Sequence, residues 1–229
     1  MTIHRFFVDA AEVAGDRFPL PRSIERQVRA VLRMGDGDRL VLLDGGGSEL
    51  VCRLDGDACI VEERRPAGGE PGHRLTVVQA LLKGDGLEQV VQHGTEVGVA
   101  RFRLVLAERC VARELSPRRL ERLRTIAREA AEQSERGAVP AVEAPVRFAD
   151  AMAPSSVLLF ERHDGMRLSS LPPPAEIVIG PEGGFSPTEV ESATGAGMTL
   201  AGLGPRILRS ETVAVAAAAV ILSRSGDFA

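Results

Sequence analysis

The sequence predicts an α/β protein in which a largely parallel sheet follows a small barrel or sheet of short strands. Three observations carry that prediction. From residue 74 onward, strand-length apolar runs alternate with helical patterns, as expected for strands buried on both faces between crossover helices. In the first seventy residues the apolar stretches are short and punctuated by Gly or Asp turns. Between the two patterns, the segment PAGGEPG (66–72) is rich in Pro and Gly and has no periodicity. A boundary there divides the chain into residues 1–70 and 71–229.

In the first part, RFFV (5–8), RLVLLDG (39–45), LVCRL (50–54) and ACIVEE (58–63) read as strands. One helix interrupts them, around Arg22 to Met34, with Ile24, Val28, Val31 and Leu32 at helical spacing. DGGG (44–47) has the glycine density of a phosphate loop, but it lies between two strands with no helix behind it, so it reads as a hairpin turn.

In the second part, LTVVQALL (75–82) is a buried strand and LEQVVQHGTEVG (87–98) a helix with Leu87, Val90, Val91 and Val97 on its apolar face. FRLVLA (102–107) is the next strand. Ser116 and Pro117 then open a long helix as N-cap and first helical residue, with Leu120, Leu123, Ala127 and Ala130 as its stripe and Gly137 as its stop. SVLLF (156–160), EIVI (176–179) and MTLAGL (198–203) complete the strands, and an Ala-rich helix runs from about Thr212 to Leu222. No internal repeat is present.

Composition narrows the function. With no Trp, no Tyr and eight Phe, the chain lacks the aromatic ladder of a single-strand nucleic-acid binder, and a net charge of −4 argues against a nonspecific DNA-coating protein. Charge is nevertheless uneven. Residues 101–136 hold ten Arg against six Glu, compatible either with a phosphate-binding face or with a solvated helix laced by i,i+4 pairs. Cys52, Cys59 and Cys110 are odd in number and form no CxxC pair, so they read as reduced thiols, not as a disulfide frame or a metal site. The N-terminus has no signal-peptide pattern, and the longest apolar run, Val213 to Leu222, is too short to span a bilayer. A cytoplasmic protein with no membrane and no metal is expected.

Ligands of open α/β sheets sit outside the carboxyl ends of the strands, so the unusual strand-to-helix loops identify candidate sites. Gly84-x-Gly86 follows a strand, but a dinucleotide fingerprint needs a third Gly where Gln89 stands, and no GxxxxGK[ST] occurs; a tight turn is the simpler reading. IGPEGGFSPTE (179–189) is richer. Its glycines permit close backbone approach to a ligand, and Ser186-Pro187-Thr188-Glu189 forms a capping box. A second loop, LGPRILRSET (203–212), also leaves a strand and enters a helix, for which Ser210 is a suitable N-cap. Two arginines and a glutamate there are costly to bury unpaired, which points to a site for polar or charged groups. Two such loops can form the walls of one pocket.

These two loops, together with VLRMGDGD (31–38), LLKGDGLEQVVQHGTEVGV (81–99), ERCV (108–111) and IAREAAEQSERGAVP (126–140), resemble the SPOUT-class RNA methyltransferases. More narrowly, they resemble the bacterial RsmE family, which methylates N3 of a uridine in 16S ribosomal RNA. The resemblance runs through nearly the whole chain. It implies a PUA-like β-barrel before a SPOUT-type parallel sheet with a C-terminal trefoil knot, S-adenosylmethionine as methyl donor, a homodimer, and the small ribosomal subunit as partner. It implies cofactor contacts from Leu159, Phe160 and Glu161, from Ile179, Gly180, Pro181, Glu182, Gly183 and Gly184, and from Leu203, Gly204, Pro205, Arg206, Ile207, Leu208, Arg209 and Thr212.

Within that resemblance, Arg209 or Arg206 would stabilise charge on the uracil oxygens, and Glu211 or Glu182 would accept the N3 proton or anchor an arginine; a helix-start charge favoured by the dipole is an equal reading of Glu211. Arg5, Arg22, Arg26 and Arg29 in the first part, with Arg118 and Arg122 in the second, are the expected RNA contacts. Other outcomes of the same sequence are a SPOUT enzyme for a tRNA or 23S position and a non-catalytic assembly factor. Two positions depart from the family pattern: Ser210 stands where Thr is common, and Gly94 occupies a helix interior at a cost of about 1 kcal/mol relative to Ala.

Overall fold

A computed structural model describes residues 3–161 and 165–228. The chain forms two compact units, Met1–Glu70 with Ala131–Val139, and Pro71–Ala130 with Pro140–Ala229.

The first unit is built on a mixed five-stranded sheet of β1 (His4–Phe7), β2 (Arg17–Pro19), β3 (Arg39–Leu43), β4 (Ser48–Asp55) and β5 (Ala58–Pro66), in the order β1-β3-β4-β5-β2. β1 runs parallel to β3 and the other pairs are antiparallel. Both faces of the sheet are covered, which is why RLVLL is apolar at every other position and between. Phe6, Leu40, Leu42 and Leu54 pack with Ile24 and Val28 on one face, while Phe7, Val41, Leu43 and Val51 pack with Ala131 on the other. The DGGG segment is the β3–β4 hairpin turn. The Asp44 carboxylate accepts from the Gly46 and Ser48 amides, and Gly45 and Gly47 take positive φ.

Two local expectations fail here. The helix expected over 22–34 is α1 (Arg22–Arg26) continued by a π-helical turn (Gln27–Val31), in which the Leu32 amide bonds Gln27 O. The wider turn rotates Val31 out of the apolar stripe, leaving it 66% exposed. The helix before Gly137 is also stopped by another residue. Glu135 takes the left-handed conformation, and the Arg136 and Glu135 amides close back on Ala131 O and Glu132 O as a Schellman motif. Gly137 serves close packing instead, since a Cβ there would lie 2.7 Å from Ala67 Cβ.

Glu49, almost fully buried, is held between the guanidinium groups of Arg5 and Arg65. Burial pushes its carboxyl up, but the hydrogen bonds and charges of Arg65 and Arg5 outweigh that and leave it below the ordinary value. Burial, with the neighbouring Cys59, pushes the Cys52 thiol up to about 12, so it stays protonated and unreactive.

The second unit is an all-parallel six-stranded sheet of β6 (Thr76–Ala80), β7 (Arg101–Leu106), β8 (Ala141–Arg147), β9 (Val157–Leu159), β10 (Glu176–Ile179) and β11 (Thr199–Ala201). The order is β11-β9-β10-β6-β7-β8, with helices α2 (Gly86–Glu96), α3 (Pro117–Gln133), α4 (Pro187–Gly195) and α5 (Ser210–Arg224). Ser116 caps α3 as expected, its hydroxyl accepting from the Arg119 amide. In α2 the buried stripe is Leu87, Val90, Val91, Gly94 and Thr95, and Val97 lies at the C-cap, half-buried. Gly94 has a packing reason: a Cβ would meet the Phe102 ring of β7 at 2.8 Å. The helix accepts the propensity cost of a glycine in exchange for close seating on the sheet.

Candidate functional site

Strand order alone indicates where a site belongs. From β6 the chain moves through β7 to β8 on one side of the sheet, then crosses to build β9, β10 and β11 on the other. The carboxyl ends of β6, β10, β9 and β11 therefore stand next to one another beside a topological switch point, where the loops diverge and leave a crevice. A cavity of about 720 Å³ occupies it, in the size range of small-ligand pockets.

Four loops line that cavity: 83–86 after β6, 160–161 after β9, 180–185 after β10 and 203–211 after β11. The loop after β10 is the most firmly built. The Gly184 amide closes a turn onto Pro181 O, with Gly184 at φ 66°. Ser186 and Glu189 form the complete capping box of α4. Glu189 also accepts from the Glu108 amide, Ser186 Oγ donates to the Glu108 carboxylate at 2.7 Å, and Arg109 donates to Gly183 O. The ERCV segment thus clamps this loop from behind. Phe185 lines the cavity and stacks on Phe148 with ring centroids 4.7 Å apart.

The loop after β6 is tied to the same wall, since the Lys83 amide donates to Glu182 Oε1 at 3.0 Å. Behind it, Arg119 of α3 donates to Gly84 O and pairs with Glu88 at 2.9 Å. Burial raises the Glu88 carboxyl, but the hydrogen bonds and charge of Arg119 prevail and hold it below the usual carboxylate range. The loop after β11 leaves through a short parallel bridge, with Gly202 exchanging backbone hydrogen bonds with Met166 and Leu168. It then presents Arg206, Ile207 and Arg209 to solvent.

Of the residues expected at the cofactor, Leu159, Phe160, Glu161, Ile179, Gly180, Pro181, Glu182, Gly184, Leu203, Gly204, Arg206, Ile207, Leu208 and Arg209 line this one cavity, together with Glu211. Gly183, Pro205 and Thr212 do not line it. Gly183 faces Arg109 instead, where a Cβ would lie 3.3 Å from Arg109 Cβ. Lys83, Gly84, Asp85 and Gly86 line the cavity without having been expected there; the Gly-x-Gly turn was their signal, but that pattern serves ordinary turns equally well. Ser210 is not an N-cap. It is the first residue of α5, and its hydroxyl, held by Gln79, donates to Gly180 O at 2.7 Å. Nor are Arg206 and Arg209 buried charges in need of partners: both are exposed, and among the described residues neither guanidinium makes a hydrogen bond or ion pair.

The arginines expected to meet RNA fall into two classes. Arg22, Arg26, Arg118 and Arg122 are exposed. Arg5 is spent on Glu49, and Arg29 donates to Met34 O and Gly56 O, so both hold the first unit together and neither offers a free guanidinium.

Lys83, Arg206 and Arg209 line the cavity with Asp85, Glu161, Glu182 and Glu211, so both signs of charge are available to a ligand. Gly184 makes room for Glu161, whose carboxylate oxygen would lie 3.2 Å from a Cβ at that position. Among the described residues, no group of three or more His, Cys, Asp or Glu side chains is placed to hold a metal ion, and no helix is long and apolar enough to cross a membrane.

Residues 70–222 match the RNA methyltransferase domain family. The chain is 34% identical over 214 residues to ribosomal RNA small subunit methyltransferase E of Bacillus subtilis, covering 83% of this chain and 84% of the relative. It is 33% identical over 223 residues to the Mycobacterium bovis protein of the same name, with coverage of 85% and 82%. Among solved structures, the Neisseria gonorrhoeae methyltransferase E bound to S-adenosylmethionine superposes with a TM-score of 0.87 at 28% identity, covering 97% of this chain and 98% of that one. A Legionella pneumophila protein solved in complex with the same cofactor superposes with a TM-score of 0.85 at 26% identity and the same coverage.

Proposed function

The chain belongs to the ribosomal RNA small subunit methyltransferase E family, and from that premise we propose that it methylates N3 of one uridine in 16S ribosomal RNA, with S-adenosylmethionine as donor. The observation that carries the reading is the cavity at the carboxyl ends of four adjacent parallel strands, enclosed by the GPEGG and LGPRILRSE loops.

When bound, S-adenosylmethionine supplies a methyl carbon made electrophilic by its sulfonium. The remaining chemistry falls to the protein, because the uracil N3–H must lose its proton to become nucleophilic. Arg209, exposed on the cavity wall with its guanidinium unpartnered among the described residues, stabilises the charge that develops on the uracil oxygens, with Arg206 beside it. Glu211, one helical residue beyond Ser210, accepts the N3 proton. The Gly180–Gly184 backbone and Glu161 hold the adenosyl group, while Lys83, Asp85 and Glu182 bound the opposite side.

RNA docking would use Arg22 and Arg26 on the first unit, which we read as a PUA-like barrel module, and Arg118 and Arg122 on α3. A trefoil knot is part of this reading. The chain leaves edge strand β11, passes Met166 and Leu168, and starts α5 against Gln79 of β6 and Gly180 just after β10, as a threaded segment would. So is a homodimer acting in the cytoplasm. α5 is apolar from Val213 to Leu222, yet Val213, Val215, Ala216, Ala219 and Val220 are only half-buried, and Ile207 at the cavity rim is 80% exposed.

The test is methyl transfer from labelled S-adenosylmethionine to small subunits that lack the modification, followed by mapping of the labelled base. Label on N3 of a single 16S uridine is expected. Label on a tRNA or on 23S RNA would overturn the substrate, and cofactor binding without transfer to any RNA would favour an assembly factor.

A further inference from the structure

Gln79 is a polar residue in a strand that has no packing reason to hold one. It lies in β6 between Val78 and Ala80, is fully buried, and does not line the cavity. Its amide nitrogen is 3.1 Å from Ala80 O and 2.9 Å from Ser210 Oγ, and Ser210 Oγ is 2.7 Å from Gly180 O.

The partners dictate where each proton goes. A carbonyl only accepts, so the Gln79 atom facing Ala80 O is the nitrogen, not the oxygen. Its second proton points to Ser210 Oγ. The Ser210 hydroxyl proton is then directed to Gly180 O. The result is a one-way chain, Gln79 to Ser210 to Gly180, whose bonds polarise one another.

This arrangement is not explained by stability. Gln79 Oε1 is buried and has no hydrogen-bond partner among the described residues. An orphaned buried acceptor destabilises a fold, whereas an apolar side chain of the same shape is neutral or better. What the chain accomplishes is a junction. It joins the end of β6, the residue that opens the 180–184 loop, and the residue between Arg209 and Glu211. Both walls of the cavity meet at one hydroxyl.

We propose that Gln79 and Ser210 are positioning residues that fix the separation of the two cavity walls, so that Arg209 and Glu211 face the Gly180 backbone at a set distance. The proposal rests on the reading of this cavity as the cofactor site. It gives the Ser210 hydroxyl a purpose although the residue does not cap its helix: the hydroxyl is a relay between the walls.

The test uses Gln79→Met, Ser210→Ala and Ser210→Thr in the full chain. It has three readouts: melting temperature, amide hydrogen exchange of the ligand-free protein, and calorimetric titration of S-adenosylmethionine. Gln79→Met is expected to melt at or above the wild type. Even so, its amides in 182–184 and 204–210 should exchange about tenfold faster, and its dissociation constant for the cofactor should rise about tenfold, the scale of one lost hydrogen bond. Ser210→Ala, which removes a single oxygen, should melt below the wild type and show the same faster exchange and weaker binding even if Gln79→Met folds poorly, and Ser210→Thr should restore wild-type values. Wild-type exchange and affinity in both Gln79→Met and Ser210→Ala would overturn the proposal, as would Ser210→Thr as impaired as Ser210→Ala. A wild type that binds no cofactor, with the expected exchange pattern in the variants, would overturn the cofactor reading and support the junction.

Discussion

At the amino ends of the parallel strands, Arg103 of β7 reaches Glu176 of β10 at 3.1 Å and Glu143 of β8 at 3.6 Å, while Ser156 donates to the other oxygen of Glu176. At the carboxyl ends of the same sheet, the Arg206 and Arg209 guanidinium groups have no partner among the described residues, and Glu182 accepts only from a backbone amide. The Arg103 cluster satisfies its own charges; the Arg206 and Arg209 guanidinium groups are exposed and available to a ligand. Neither arrangement is costly by itself, because exposed charges are solvated and part-buried ones are paired. The difference teaches that charge content alone does not mark a functional end. The marker is charge that the fold brings together and does not use.

Substitution at the two ends is expected to separate activity from stability. Arg209→Ala should lower methyl transfer at saturating cofactor by about a hundredfold, as for loss of one charge-stabilising donor, with melting temperature unchanged. Transfer near the wild-type rate would remove Arg209 from the chemistry. Arg103→Ala should do the reverse, costing about 1 kcal/mol in denaturant unfolding while leaving transfer intact. A loss of activity there, with the fold unaltered, would break the contrast.

The smallest expected effect is in pH dependence at the Arg119–Glu88 pair behind the cavity loop. Arg119 holds the Glu88 carboxyl below its ordinary value of 4.5 despite partial burial. A depressed folded-state value contributes stability that is complete above 4.5 and is lost as pH falls through the folded value. Denaturant unfolding between about pH 3 and pH 7 should therefore show the wild type losing its advantage over Glu88→Gln only at the acid end. A constant difference across that range would show that the pair is not titrating as described.

Much of the parallel sheet was legible because a strand buried on both faces leaves a continuous apolar run, as in EIVI and LTVVQA. β8 was not, since AVEAPVR is an edge strand whose open side admits Glu143, Pro145 and Arg147 and so breaks the run. β2, three residues long, is below the reach of any pattern. The Pro- and Gly-rich linker marked one boundary between the units. The inclusion of 131–139 in the first unit has no such mark, because that boundary falls inside α3, where helical periodicity continues unbroken.

The site divides in the same way. Two walls were legible from loops dense in Gly and Pro between a strand and a capped helix. The Lys83–Gly86 wall was not, because a Gly-x-Gly turn looks the same with or without a ligand. Gln79 was hidden more thoroughly, since its place in an apolar strand gives no sign of the hydroxyl it meets 131 residues along the chain.

The central claim is that the carboxyl-end cavity, with its exposed Arg206 and Arg209, is where the cofactor binds. Hydrogen exchange with and without saturating S-adenosylmethionine tests it directly. Protection is predicted in the loops after β6, β9, β10 and β11, at 83–86, 160–161, 182–185 and 203–211, with none at the amino ends around Arg103 and Glu176. Protection absent from those four loops, or concentrated at the opposite end of the sheet, would contradict it.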